Sequence, residues 1–198
     1  MSLTRRRFLS ASAGGVITMS WLGAPAHAAR PSTLPAPLPP GYAAMGRRFG
    51  VPPLVLYGVA LQESKMGFGE QALPYPWTLC VRGEARRYPS YDLAVQGLQQ
   101  SVAAGITNVD CGCMQINWGW HSARLGSFRR ALDPYLNIGV GAQILREHYE
   151  SASDWFKAVG MYHHPSDTAR ARRYAESVFL RIPQIPGVGA SSAEKRRA

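Results

Sequence analysis

Acidic residues are scarce in this chain and cysteines scarcer. Twelve aspartates and glutamates stand against 22 lysines and arginines, and 198 residues hold three cysteines. The shortage of acid leaves a formal net charge of +10 and a pI near 10. It turns attention to anionic partners: nucleic acid, anionic lipid or acidic polymers. Three cysteines allow one disulfide at most and leave a thiol over. Cys111 and Cys113 lie too close for ordinary zinc spacing, and no second ligand pair stands out, so no metal is expected and no cofactor is called for. No repeat recurs along the chain, which excludes a solenoid. No recognised nucleic-acid-binding motif is present.

What is there begins with an address. Residues 1–28 open basic, continue through a mildly apolar stretch broken by Gly14 and Gly15, and end at Ala26-His27-Ala28, a small-residue cleavage signal before Ala29. Thr4-Arg5-Arg6-Arg7-Phe8-Leu9 resembles the twin-arginine export motif, so these residues read as a signal peptide and the mature protein as exported, periplasmic. The competing reading, a basic N-terminus followed by a short membrane helix, needs a longer unbroken apolar run. No cysteine follows the cleavage point for lipid attachment, so no stable membrane anchor is expected after cleavage. Export makes nucleic acid a poor partner and peptidoglycan, with its peptide carboxylates, a good one. It also permits a disulfide. Cys80 with Cys111 is the expected pair, with Cys113 open as the alternative to Cys111.

Residues 29–41 form a Pro-rich linker expected to be extended and unpacked. A short helix fits Gly41–Phe49, closed by Gly50, and Pro52-Pro53 opens a second that runs to about Met66. Trp77–Val81 can pair near Arg87-Tyr88 as a small hairpin. Ser90 can cap a helix from Tyr91 to about Ala104, with Leu93, Ala94, Leu98 and Val102 on one face. The stretch Gly105–His121 reads as a loop. Asp133-Pro134 starts a helix to about Tyr149, with Ile138, Val140, Ile144 and Leu145 continuing its pattern. One more precedes Pro165, and the last spans Ser166–Ile182. Residues 183–198 look like a disordered basic tail. The fold class is therefore mainly α, one helical domain over 42–182 with a small β-hairpin insert.

Most carboxylates have ordinary places. Asp133, Asp154 and Asp167 stand where helices begin; Glu147, Glu150 and Glu176 lie on polar faces. Glu63 differs. The apolar run Leu54–Leu61 leads straight into Gln62-Glu63-Ser64, and helical steps put Glu63 on one stripe with Leu56, Val59 and Ala60. A carboxyl among apolar neighbours has its proton affinity raised, which suits a general acid. A salt-bridged or solvated helix end is the bland alternative. Farther on, Gly112-Cys113-Met114-Gln115-Ile116-Asn117 sets two amides around a thioether, and amides match the hydroxyl and acetamido groups of a sugar. Alone, this reads as a polar turn with a buried methionine.

Together, "ALQES" followed by "GCMQIN" resembles the SLT-domain lytic transglycosylases, lysozyme-like enzymes that cleave peptidoglycan. The third family motif, Ala-x-x-Tyr-Asn-x-Gly, is matched in part by Ala158–Pro165: Tyr162 agrees, His163 replaces the usual Asn, and the Gly is absent. The resemblance covers roughly residues 42–182 and implies an α+β lysozyme-like fold. It makes Glu63 the sole catalytic acid/base, with Ser64, Met114, Gln115, Asn117 and Tyr162 at the substrate. Ser64 would orient Glu63 or touch the sugar, Met114 would pack beneath it or support the loop, and Tyr162 would hydrogen-bond near Glu63. His163 and His164 are either substrate contacts or a polar helix end. Trp77, Trp118 and Trp120 are candidates for stacking on sugars, with core packing the default for each. The implied partners are glycan strands. The insert "PYPWTLCVRG" resembles a subgroup found beside secretion and conjugation systems, so an envelope-spanning apparatus is a further partner. Two rivals stand: a lysozyme-type muramidase using Asp92 or Asp110 as second carboxylate, and a cell-wall-binding factor without turnover.

Overall fold

A computed structural model describes residues 34–188. The expected signal peptide, the start of the expected linker and the end of the expected tail lie outside the described residues. Eight α-helices surround two small sheets among the described residues. In chain order they are α1 (Pro40–Phe49), α2 (Pro53–Ser64), β1 (Lys65–Phe68), β2 (Gln71–Pro74), β3 (Thr78–Val81), β4 (Glu84–Arg87) and α3 (Tyr91–Ala103). There follow β5 (Val109–Cys111), β6 (Ile116–Asn117), α4 (Trp118–Leu125), α5 (Phe128–Leu132), α6 (Pro134–Ala152), α7 (Trp155–His163) and α8 (Thr168–Arg181). The mainly α, α+β architecture is the one expected.

Helix α2 is the hub. It is apolar all round, which suits only a helix packed on every side, and Leu56, Val59, Ala60 and Leu61 are wholly buried. Helices α1, α6, α7 and α8 and strand β2 pack around it. At Gly58 the approach of α8 is so close that a Cβ would meet Val178 and Ile182 at 3.1–3.2 Å. Local signals set most boundaries. Gly50 turns left-handed (φ 65°) to end α1. Ser90, Asp133, Asp154 and Asp167 each accept a backbone N–H as N-caps of α3, α6, α7 and α8.

Several expectations need correction. Helix α2 stops at Ser64 because the next residues are taken by strand pairing: Lys65 faces Pro74 and Met66 faces Leu73 in an antiparallel pair. The hairpin at 78–87 exists, turning through Arg82 (φ 53°) and Gly83 (φ 88°), the two positive-φ positions of a tight I′ turn. It is part of a larger sheet, in the order β4-β3-β5-β6. The supposed loop 105–121 thus supplies two strands and the start of α4. The short helix α5, capped by Ser127, has no apolar period long enough to show. Leu93 is exposed; Ala94, Val95, Leu98 and Ser101 form the buried face of α3.

Nor is the described part of the linker unpacked. Leu34 and Ala36 bracket Ala72 on β2, with Ala36 N–H donating to the Ala72 carbonyl at 2.9 Å and Ala72 N–H to the Leu34 carbonyl at 2.8 Å. The Tyr57 hydroxyl donates to the Ala36 carbonyl at 3.0 Å. A strand edge offers unpaired backbone groups, and the linker takes them. At the other end Ile185 is buried, so the first residues assigned to the tail belong to the fold.

The expected Cys80–Cys111 disulfide is absent: all three cysteines are free thiols. The register gives the reason. Cys80 stands opposite Asp110 and Cys111 opposite Leu79, so the two side chains leave opposite faces of the sheet. Cys113 is buried and its thiol donates to Asn137 Oδ1 at 3.4 Å.

Candidate active site

The end of α2 delivers Glu63 to the floor of a cleft of about 790 Å³. One wall is the sheet, through Thr78, Cys80 and Asp110; the other comes from α4, α6 and α7. The Glu63 side chain is only 12% exposed. Burial raises its pKa from the usual 4.5 to about 7; the negative charge of Asp110 adds to the rise and a hydrogen bond from Tyr174 opposes it. The Tyr174 hydroxyl, on α8, donates to Oε1 of Glu63. The His163 ring stacks on the Tyr174 ring with centroids 4.6 Å apart, and its Nδ1 lies 3.8 Å from the same oxygen. Burial and the neighbouring His164 lower the His163 pKa, with Asp110 pulling the other way.

Opposite Glu63 the segment Gly112–Asn117 is held by bonds from three helices. Ser64 Oγ lies 2.7 Å from the Cys113 carbonyl and donates to it. The Tyr162 hydroxyl donates to the Met114 carbonyl at 2.7 Å. The buried amide of Asn137 on α6 accepts from Met114 N–H at 2.8 Å and donates to the Cys111 and Ala131 carbonyls, both at 2.9 Å. Gly112 (φ 76°) lies so close to this amide that a Cβ would sit 2.6 Å from it.

These contacts revise the roles the sequence implied. Ser64 and Met114 are buried, and neither lines the cleft. Ser64 clamps the segment to α2, and Met114 packs on Gly141 of α6 as its anchor. Tyr162 lines the cleft, but its hydroxyl serves the Met114 carbonyl; the tyrosine that touches Glu63 is Tyr174. Gln115 and Asn117 do line the cleft. Gln115 sits in the left-handed region (φ 47°) and its amide nitrogen donates to the Gly112 carbonyl at 2.8 Å. Asn117 caps α4 and donates to Asp110 Oδ1 and Asn108 Oδ1, both at 2.8 Å.

Two further acids line the cleft: Glu147 of α6, paired with Arg124 at 2.7 Å, and Asp110, whose pKa is raised by burial against the opposing effect of the Asn117 amide. Asp92 is elsewhere, in an exposed ion pair with Arg129. Of the three tryptophans only Trp120 lines the cleft, 85% exposed at its mouth. Trp77 packs on Tyr75 and Trp118 on Phe128. His163 lines the cleft and His164 supports it edge-on. Sequence reasoning missed Tyr174 and Asn137. The spacing of Tyr174, Ala175 and Val178, the buried residues of an otherwise Arg-rich helix, is the signal that points to the first.

A near-buried carboxyl whose proton affinity is raised toward neutrality thus sits in a cleft beside amides and an exposed aromatic. The Transglycosylase SLT domain family matches residues 42–178, and the chain belongs to it. No curated protein and no solved structure matches the chain.

Proposed function

We propose that the protein is a peptidoglycan lytic transglycosylase with Glu63 as its single general acid/base. Protonated Glu63 gives its proton to the glycosidic oxygen between N-acetylmuramic acid and N-acetylglucosamine. The substrate's own acetamido oxygen stabilises the electron-poor C1. Glu63, now a carboxylate, takes the proton of the muramyl C6 hydroxyl as that oxygen bonds to C1. The product is a 1,6-anhydro end, formed without water, and Glu63 is reprotonated for the next cycle. The observation that carries this reading is the proton affinity of Glu63: a carboxyl poised near pH 7 can act first as acid and then as base.

The surrounding residues fit these two half-steps. Tyr174 holds Oε1 in place, and its hydrogen bond favours the carboxylate left after the first transfer. The fastening of residues 113 and 114 through Ser64, Tyr162 and Asn137 presents Gln115 and Asn117 to the sugar without a mobile backbone. Trp120 offers a face for a pyranose ring. The basic charge and the export-like leader support a periplasmic location and action on glycan strands, and the insert over residues 74–83 supports service to an envelope-spanning apparatus.

Asp110 favours one second reading, a muramidase in which this carboxylate directs water to C1. Mass analysis of peptidoglycan digests decides between them. Anhydro-muramic ends, one water lighter than reducing ends and lost in Glu63→Gln, are the expected result. Reducing ends alone support the hydrolase, and undiminished cleavage by Glu63→Gln refutes the assignment of Glu63.

A further inference from the structure

A second pocket, of about 240 Å³, lies where α1, α4, α5 and α6 meet, and it shares no lining residue with the Glu63 cleft. Buried Leu125 and Val140 and half-buried Phe49 give it an apolar lining. Tyr135, 61% exposed, stands at its side, with its ring so near the start of α1 that a Cβ at Gly41 would meet it at 3.2 Å. Three guanidiniums from three helices also line it, those of Arg48, Arg124 and Arg130, and no carboxylate does among the described residues.

These cations are held in place. The Arg48 guanidinium lies over the Phe49 ring, 5.5 Å from its centroid. Arg130 runs across the turn at Gly126, where a Cβ would stand 3.1 Å from its Nε. Arg124 is fixed by Glu147 at 2.7 Å. Arg48 and Arg130 are exposed and form no ion pair among the described residues, so both are open to an incoming anion. Side chains already positioned lose little freedom on binding. Arginine beside tyrosine, phenylalanine and methionine is the composition of interface cores, and the guanidinium fork matches a carboxylate. The space takes one large side chain but not a pair of acyl chains, which favours a peptide over a lipid.

We propose that this pocket docks an acidic peptide segment of a partner protein, with one apolar side chain entering it and flanking Asp or Glu carboxylates pairing with Arg48 and Arg130. The inference is independent of the reaction assigned to Glu63, and its test involves no cleavage.

A panel of labelled, amidated hexapeptides, each with one Phe, Tyr or Leu between Asp and Glu residues, is titrated with the protein by fluorescence anisotropy at low salt. Saturable binding by at least one peptide is expected, weakening as ionic strength rises. Arg48→Gln and Arg130→Gln should each weaken it about threefold to fivefold, and the double variant about tenfold. Arg47→Gln removes the same charge from α1 outside the pocket and should weaken it by less than about twofold. Arg48→Lys with Arg130→Lys keeps part of the affinity, because charge remains without the fork. Replacing the peptide's acids by amides, or its apolar residue by Gly, abolishes binding. No binding by any peptide overturns the proposal, and so does equal weakening by Arg47→Gln, which leaves only unspecific attraction to a basic surface. Binding of phosphatidylglycerol vesicles that depends on Arg48 and Arg130 and that the peptides fail to displace assigns the pocket to lipid and overturns it as well.

Discussion

Replacing Glu63 by Gln should make the protein more stable at neutral pH and leave it unchanged in acid. In the unfolded chain Glu63 has the ordinary value of 4.5, and in the fold it rises to about 7. Because the folded value is the higher one, the unfolded state sheds this proton first as pH rises. Stability is therefore full below about pH 4.5 and declines up to about pH 7, then stays level. At 1.36 kcal/mol per unit the loss is at most about 3 kcal/mol. The side chain is only 12% exposed, so solvent screens little of it. Glutamine escapes the loss because it has no proton to shed, and its amide oxygen can still accept from Tyr174. For a domain of this size 1 kcal/mol corresponds to about 2–4 °C in Tm, which gives a ceiling of roughly 6–12 °C. Scanning calorimetry of both proteins at pH 4, 5, 6, 7 and 8 reads the difference directly. Tm curves that stay parallel from pH 4 to pH 8, with no widening gap, refute the buried, proton-retaining carboxyl.

Tyr174→Phe keeps the ring against His163 and removes the hydroxyl. Since that hydrogen bond favours the ionised form, its loss should push the alkaline limb of kcat/KM upward by about one pH unit; an unmoved limb separates Tyr174 from the acid. Asp110→Asn removes a negative charge that raises the Glu63 pKa, so the same limb should move down, while product masses stay those of anhydro ends. Reducing ends that vanish in this variant favour the hydrolase instead. Asn137→Ala strips the partners from Met114 N–H and two buried carbonyls and should cost about 3 kcal/mol or more in urea unfolding, because each orphaned group carries its own desolvation penalty. A loss under about 1 kcal/mol shows that the segment does not depend on that amide.

The parts of this protein legible in its sequence are those written in local chemistry. An apolar run ending in Glu63 identified both the central helix and the carboxyl at its tip, because a helix packed on all sides must be apolar on all sides. Caps at Ser90, Asp133, Asp154 and Asp167 and the left-handed Gly50 marked helix ends for the same reason. What stayed hidden depends on partners far along the chain. Tyr174 reaches Glu63 from the last helix, and nothing near either residue announces the pairing. Asn137 reads as a polar residue in an amphipathic helix until its neighbours turn out to be the unsatisfied backbone of residues 111–114. The cysteines misled because spacing says nothing about sheet register: one residue of offset sends Cys80 and Cys111 to opposite faces. Packing of the linker on β2 was equally unreadable, since an edge strand accepts almost any extended segment.

The account stands on the ionisation of one side chain, and that can be watched. With glutamate labelled at the carboxyl carbon, the signal missing from Glu63→Gln is the one to follow by NMR through a pH titration. It should titrate with a midpoint near 7. A midpoint near 4.5, that of a solvated glutamate, contradicts the claim that this fold keeps an acid charged with its proton for catalysis.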